Sequence, residues 1–129
     1  MKRTFLISGA LMGMIGIVLG AFGAHGLEKI VEPEAVDSFE TGVRYQIYHA
    51  FLLLFLGLWN TKNQKVQKIL HGLLIIGVVL FSGSIYGLVL DPWFSFEFKK
   101  LALLTPLGGT FLILAWGLMV WTFFKSPKG

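Results

Sequence analysis

The chain has no cysteine, which excludes a disulfide framework, a thiolate metal site and a thiol redox couple. Charge is nearly as scarce: only 14% of the 129 residues are charged, against 55% hydrophobic. With a mean hydropathy of +0.74, too little polar surface exists to wrap a soluble domain of this size. There are three histidines and no acid inside an apolar run, so no metal site is expected. Also missing are G-x-x-x-x-G-K-[ST], G-x-G-x-x-G after a strand, and H-E-x-x-H. No nucleophile, base and orienting group fall at a recognisable spacing, so neither an enzyme nor a bound cofactor is expected. The formal net charge of +4 invites a nucleic-acid reading. The basic residues, however, lie in short clusters at the ends of apolar runs rather than along one face, and nucleic acid is not an expected partner.

What the chain has in quantity is long apolar runs. A hydrocarbon core of about 30 Å takes roughly 20 helical residues. Four segments meet or approach that length: 4–25, 43–60, 69–90 and 101–124. The expected fold is all-α, one integral membrane four-helix bundle over residues 1–129, running up-down-up-down. Orientation follows from Lys and Arg. Lys2, Arg3, Lys62, Lys65, Lys68, Lys125 and Lys128 fall at one end; Lys29, Arg44, Lys99 and Lys100 fall at the other. Both termini are therefore expected in the cytoplasm, with the protein in the cell membrane. The acids, Glu28, Glu32, Glu34, Asp37, Glu40, Asp91 and Glu97, all lie on the outer side, and Trp59, Trp121 and Trp93 fall at the interfaces. Met1-Lys2-Arg3 and the small residues Ala21, Gly23 and Ala24 imitate a cleavable signal, but that apolar run exceeds the usual 7–15 residues. We read it as a first span.

Gly9, Gly13, Gly16, Gly20 and Gly23 recur at steps of four, three, four and three, a 3.5-residue period that puts them on one stripe. In lipid, such stripes let helix backbones approach closely, so the first span should pack tightly on a neighbour. Gly83 and Gly87 repeat the device in the third. Between the first two spans, Glu32-Pro33-Glu34 can start a helix that runs along the outer surface, bending at Gly42. Thr105-Pro106-Leu107-Gly108-Gly109 either begins the fourth span or kinks it.

The second span is the odd one, because its purely apolar part, Ala50 to Trp59, covers only about 15 Å. The remainder has to be Arg44-Tyr45-Gln46-Ile47-Tyr48-His49, with His49 near the midplane and Arg44 about 7 Å further out. Ser82, Ser84 and Tyr86 reach similar depths, and His25 ends the first span on that side. His25, Arg44, Tyr45, His49, Ser82, Ser84 and Tyr86 form the candidate polar cluster. Each has a structural alternative: an ion pair between Glu40 and Arg44, a neutral His49 bonded to Tyr45, Ser82 or a carbonyl, and His25 capping helix carbonyls. His71, beside the lysine loop, is expected at the interface.

Four blocks in this order, GAFGAHGL (20–27), TGVRYQIYHAFLL (41–53), LFSGSIYGL (80–88) and TPLGGTFLILAWG (105–117), resemble those of a small membrane family. It is the family called domain of unknown function 423, of the YgdD and YwdK type. The resemblance implies four membrane helices, the bacterial cytoplasmic membrane and no established activity. It carries over Gly23, His25 and Gly26; Tyr45, Gln46 and His49; Ser82, Gly83, Ser84 and Tyr86; and Pro106, Gly108 and Gly109. The function expected first is a non-enzymatic accessory or lipid- or quinone-binding component, alone, as a homo-oligomer or in a larger membrane complex. The alternative is a small proton-sensitive transporter or channel using His49.

Overall fold

Four helices account for most of the chain. The computed structural model describes residues 1–91 and 98–126, with only the backbone of residues 98 and 99. The helices are α1 (Lys2–His25), α2 (Pro33–Leu58), α3 (Gln64–Val89) and α4 (Phe98–Lys125). Trp93, Glu97, Lys128 and the Lys99 side chain, all used in the topology expectation, lie outside what is described.

Local chemistry sets the ends. Pro33 occupies the first turn of α2, where its missing N–H costs nothing, after an extended Glu32. Asn63 caps α3 by accepting from the Val66 N–H at 3.1 Å. At the end of α1 the Gly26 N–H closes onto the Phe22 carbonyl at 2.8 Å. A single 3₁₀ turn, Leu27–Lys29, then drives Leu27 into a fully buried contact with Phe39 and Val89.

Gly42 does not interrupt the helix, and α2 runs unbroken from Pro33, ten residues ahead of the expected span at 43. A Cβ at Gly42 would stand 2.8 Å from the Tyr86 ring, so this glycine makes room for an aromatic side chain. Nor does Pro106 begin α4; it lies inside the helix, which continues to Lys125. α1 and α3 also start earlier than expected, at residues 2 and 64.

The bundle is two tight hairpins joined along a seam. In the first, every glycine of the α1 stripe faces α2: Gly9 and Gly13 meet Ala50, Gly16 meets Ile47, Gly20 meets Val43 and Gly23 meets Phe39. In the second, Gly108 of α4 lies against the α3 backbone at Gly77 and Phe81. Gly83, expected to act likewise, has nothing within 4 Å of a built Cβ, while Gly87 touches only Leu101. The α2–α3 seam carries the apolar core, Leu52, Leu53 and Leu56 against Leu70, Leu74 and Val78. Phe5 of α1 and Leu112, Ala115 and Met119 of α4 complete that core from either side.

The outer surface is as apolar as the core. Ile17, Leu58, Leu103, Ile113 and Phe124 are all more than two-thirds exposed, on three different helices. Water would not tolerate so large an apolar face, whereas acyl chains would. Three helices, Lys2–His25, Gln64–Val89 and Lys100–Lys125, are long and apolar enough to cross a membrane by length and composition. α2 is not one of them: Glu34, Asp37 and Glu40 occupy its start, and Arg44, Gln46 and His49 lower the hydropathy of the remainder.

Candidate functional site

The polar side chains inside the bundle form a belt of two networks and a separate Ser84–Thr105 pair. The first joins α1, α2 and α3 through Gln46, which is buried. Its amide donates to the Met12 carbonyl at 2.9 Å, and its Oε1 accepts from the Tyr86 hydroxyl at 2.7 Å. One turn away the Ser82 hydroxyl donates to the Gly42 carbonyl at 2.7 Å. One glutamine thus ties three helices, in a setting where no water competes for its bonds.

The second network joins α2 to α4. His49, also buried, has Nδ1 at 2.6 Å from the Tyr45 carbonyl, and its Nε2 accepts from the Trp116 indole at 3.1 Å. These partners fix the tautomer. An indole N–H only donates, so Nε2 must be the bare nitrogen; a carbonyl only accepts, so Nδ1 carries the proton. His49 is therefore neutral with both nitrogens engaged, and the Tyr45 ring stacks on it at 6.5 Å. Higher on the same side, Ser84 bonds to Thr105 between α3 and α4 and donates to the Phe81 carbonyl at 2.9 Å.

Three side chains of the expected cluster stand apart, and one of them is Tyr45, which is exposed and serves the belt through its backbone carbonyl and its ring contact with His49. His25 is exposed at the end of α1, where the cap is the Gly26 backbone. Arg44 is exposed and donates to Thr41 Oγ1 at 3.0 Å, so the expected pair with Glu40 is replaced by a hydroxyl one turn back. Both share the depth of the belt yet point away from it. At the other end, half-buried His71 bonds through Nε2 to the Ser8 hydroxyl at 3.1 Å and meets the Phe5 ring edge-on. Trp116 and Thr105 complete the belt without having stood out in the sequence, since nothing local marks a tryptophan 67 residues from its histidine. No group of three or more metal-binding side chains occurs among the described residues.

No buried side-chain nitrogen or oxygen among the described residues lacks a partner. The belt is thus complete in itself, and the openings lie beside it. A groove of about 430 Å³ between α1 and α3 is walled by Leu11, Ile15, Leu19, Ile75 and Val79. Its polar lining includes Gln46, Ser82 and Tyr86, and Gly83 forms part of its rim.

The His49–Trp116 bond can be tested by a double-mutant cycle. His49→Leu combined with Trp116→Phe should give a coupling of about 1 kcal/mol in detergent unfolding, the scale of interhelical bonds in membranes. A coupling of zero would mean that the imidazole and indole do not bond.

Four long helices, a lipid-like exterior and a satisfied polar belt define the class: a small, helical, multi-pass membrane protein. Within that class, the chain belongs to the family described as Protein of unknown function (DUF423), whose model matches residues 19–109. It is 35% identical over 129 residues to a UPF0382 membrane protein of Haemophilus influenzae, covering 99% of each chain. It is 35% identical over 120 residues to the UPF0382 membrane protein YwdK of Bacillus subtilis, covering 92% of this chain and 94% of the relative. To the UPF0382 inner membrane protein YgdD of Escherichia coli it is 34% identical, over 92% of this chain and 88% of that one. No solved structure matches the chain.

Proposed function

We propose that this protein spans the membrane four times, with both termini in the cytoplasm, and acts without catalysis by holding an amphiphile in the α1/α3 groove. The ligand class is a lipid or a quinone. Support for the fourth crossing comes from the exposed stripe Tyr45, Tyr48, Phe51, Phe55 and Leu58, which faces outward over about 20 Å of α2. Arg44 at its outer end can extend toward head groups. The basic residues Lys2, Arg3, Lys62, Lys65, Lys68 and Lys125 lie at one end of the antiparallel helices, and Lys29, Arg44 and Lys100 with the described acids toward the other, an excess that supports cytoplasmic termini.

The observation that carries the ligand reading is the groove itself, apolar-walled with a few polar atoms, the usual form of a small-molecule site. Tyr86 is the half-buried polar group of that lining: its hydroxyl spends its proton on Gln46 but keeps an oxygen lone pair, while Gln46 and Ser82 are buried behind it. A head group with one donor would be satisfied there, while its tail lies along Leu11, Ile15 and Val79.

Gly83→Leu tests this directly, because a side chain there meets nothing of the protein and would occupy the groove. Native mass spectrometry and organic extraction of the gently solubilised protein should find an amphiphile on the wild type and at least tenfold less, about 1.4 kcal/mol, on the variant. Thermal stability should hold. Equal retention by both proteins would rule the groove out. The proton-transporter reading draws less from the geometry: both nitrogens of His49 are occupied, so a carried proton would first have to break the Trp116 bond.

A further inference from the structure

A second opening, remote from the belt, lies at the lysine-rich end of the bundle. It is a cavity of about 290 Å³ between the end of α2, the start of α3 and the end of α4. Trp59, Trp121 and Val66 supply its apolar surfaces, and Asn60, Thr122 and Lys125 are among its polar ones. The Lys125 ammonium sits 4.3 Å from the centre of the Trp121 ring. Trp59 is held by Phe123, edge to face at 5.4 Å.

Three features converge on one ligand chemistry. Among the described residues no Asp or Glu lines the cavity, while Lys62, Lys65 and Lys68 follow on the adjoining segment, so the local field favours an anion. The Asn60 amide and the Thr61 hydroxyl, whose oxygen accepts from the Asn63 N–H, stand beside the Lys125 ammonium and suit a phosphodiester and its glycerol oxygens; the Thr122 hydroxyl donates instead to the Leu118 carbonyl. The paired tryptophans place the opening at the depth of the membrane–water boundary, where indoles concentrate. We propose that this cavity binds the head group of an anionic phospholipid from the leaflet facing the termini. A choline head would favour the indoles but would meet the lysine field with the wrong sign. The proposal shares with the groove reading only the crossing of α2, and none of the groove's lining residues.

The test compares phosphatidylglycerol with phosphatidylcholine of equal chain length, added to delipidated full-length protein and counted by native mass spectrometry. Salt is held at about 0.3 M, where screening shortens the reach of distant charges to about 6 Å. Wild type should retain one phosphatidylglycerol in preference to phosphatidylcholine. Lys125→Gln should lower that preference about fivefold, the factor one basic side chain contributes at an anionic surface. Lys2→Gln removes the same charge from the same end but does not line the cavity, and should stay within about twofold of wild type. Equal losses in the two variants, or no lipid preference, would overturn the site in favour of diffuse attraction. Millimolar glycerol 3-phosphate should leave the bound lipid in place; displacement would assign the cavity to a soluble phosphate compound instead. Gly83→Leu should not change this count, so failure here and failure of the groove reading are distinguishable.

Discussion

Gly108→Ala should be the most damaging single-methyl change in the protein. A Cβ on Gly108 would clash hardest with the Phe81 amide nitrogen, and would stand 2.8 Å from the Gly77 carbonyl oxygen and from the Leu80 carbonyl carbon. All three are backbone atoms of α3, so no side chain can swing away; the helices themselves must part. Overpacking usually costs about 1–3 kcal/mol, and the upper end is expected where rigid backbone is opposed. Separation would also loosen Leu112 and Ala115, which lie one and two turns further along the same contact. The control is Gly117→Ala in the same helix, where nothing lies within 4 Å. That variant should be neutral or slightly stabilised, because alanine is the better helix former. Equilibrium unfolding of the two in mild detergent decides the matter. Equal stabilities would show that the α3–α4 crossing is wider than described.

Gln46→Leu should follow closely, with a loss of about 2–3 kcal/mol. The substitution keeps the apolar volume but removes two interhelical bonds, leaving the Tyr86 hydroxyl without its acceptor inside the bundle. Truncating one partner of a buried bond costs about 1–3 kcal/mol, more than the bond is worth, because the other is stranded. Tyr86→Phe removes the stranded hydroxyl, so the double variant Gln46→Leu/Tyr86→Phe should recover part of the loss. Purely additive losses would place the two side chains out of contact, contrary to the 2.7 Å bond.

The helical fold and the α1 stripe were legible because each rests on periodicity. Residues 9, 13, 16, 20 and 23 share a face in any α-helix, and here that face meets α2. Gly83 shows where the same signal misleads. A glycine admits a neighbouring helix or leaves a hollow, and only the neighbour's position separates the two; Gly77 and Gly108 have that neighbour and Gly83 does not. The polar belt was legible in one coordinate. Counting residues along a helix gives depth, and depth gathered His25 and Arg44 with His49, Ser82 and Tyr86. It does not give direction around the axis, which turns the first two outward, with Tyr45, and the others inward. Trp116 was out of reach because its partner is on another helix, and the length of α2 because Gly42 reads as a breaker until Tyr86 is seen beside it.

The two hairpins are held by different physics from the seam between them. Within each hairpin, glycines bring backbones into contact; much of the seam depends on Gln46–Tyr86 and Ser82–Gly42 bonds together with leucine packing. Steric fit of that kind depends on shape alone. A hydrogen bond away from water has a direction and a limited number of takers, so it favours one rotation of one hairpin against the other. The belt therefore serves as a registration key for assembly: it discriminates among ways of docking two halves that would otherwise slide past each other on greasy, nearly featureless faces.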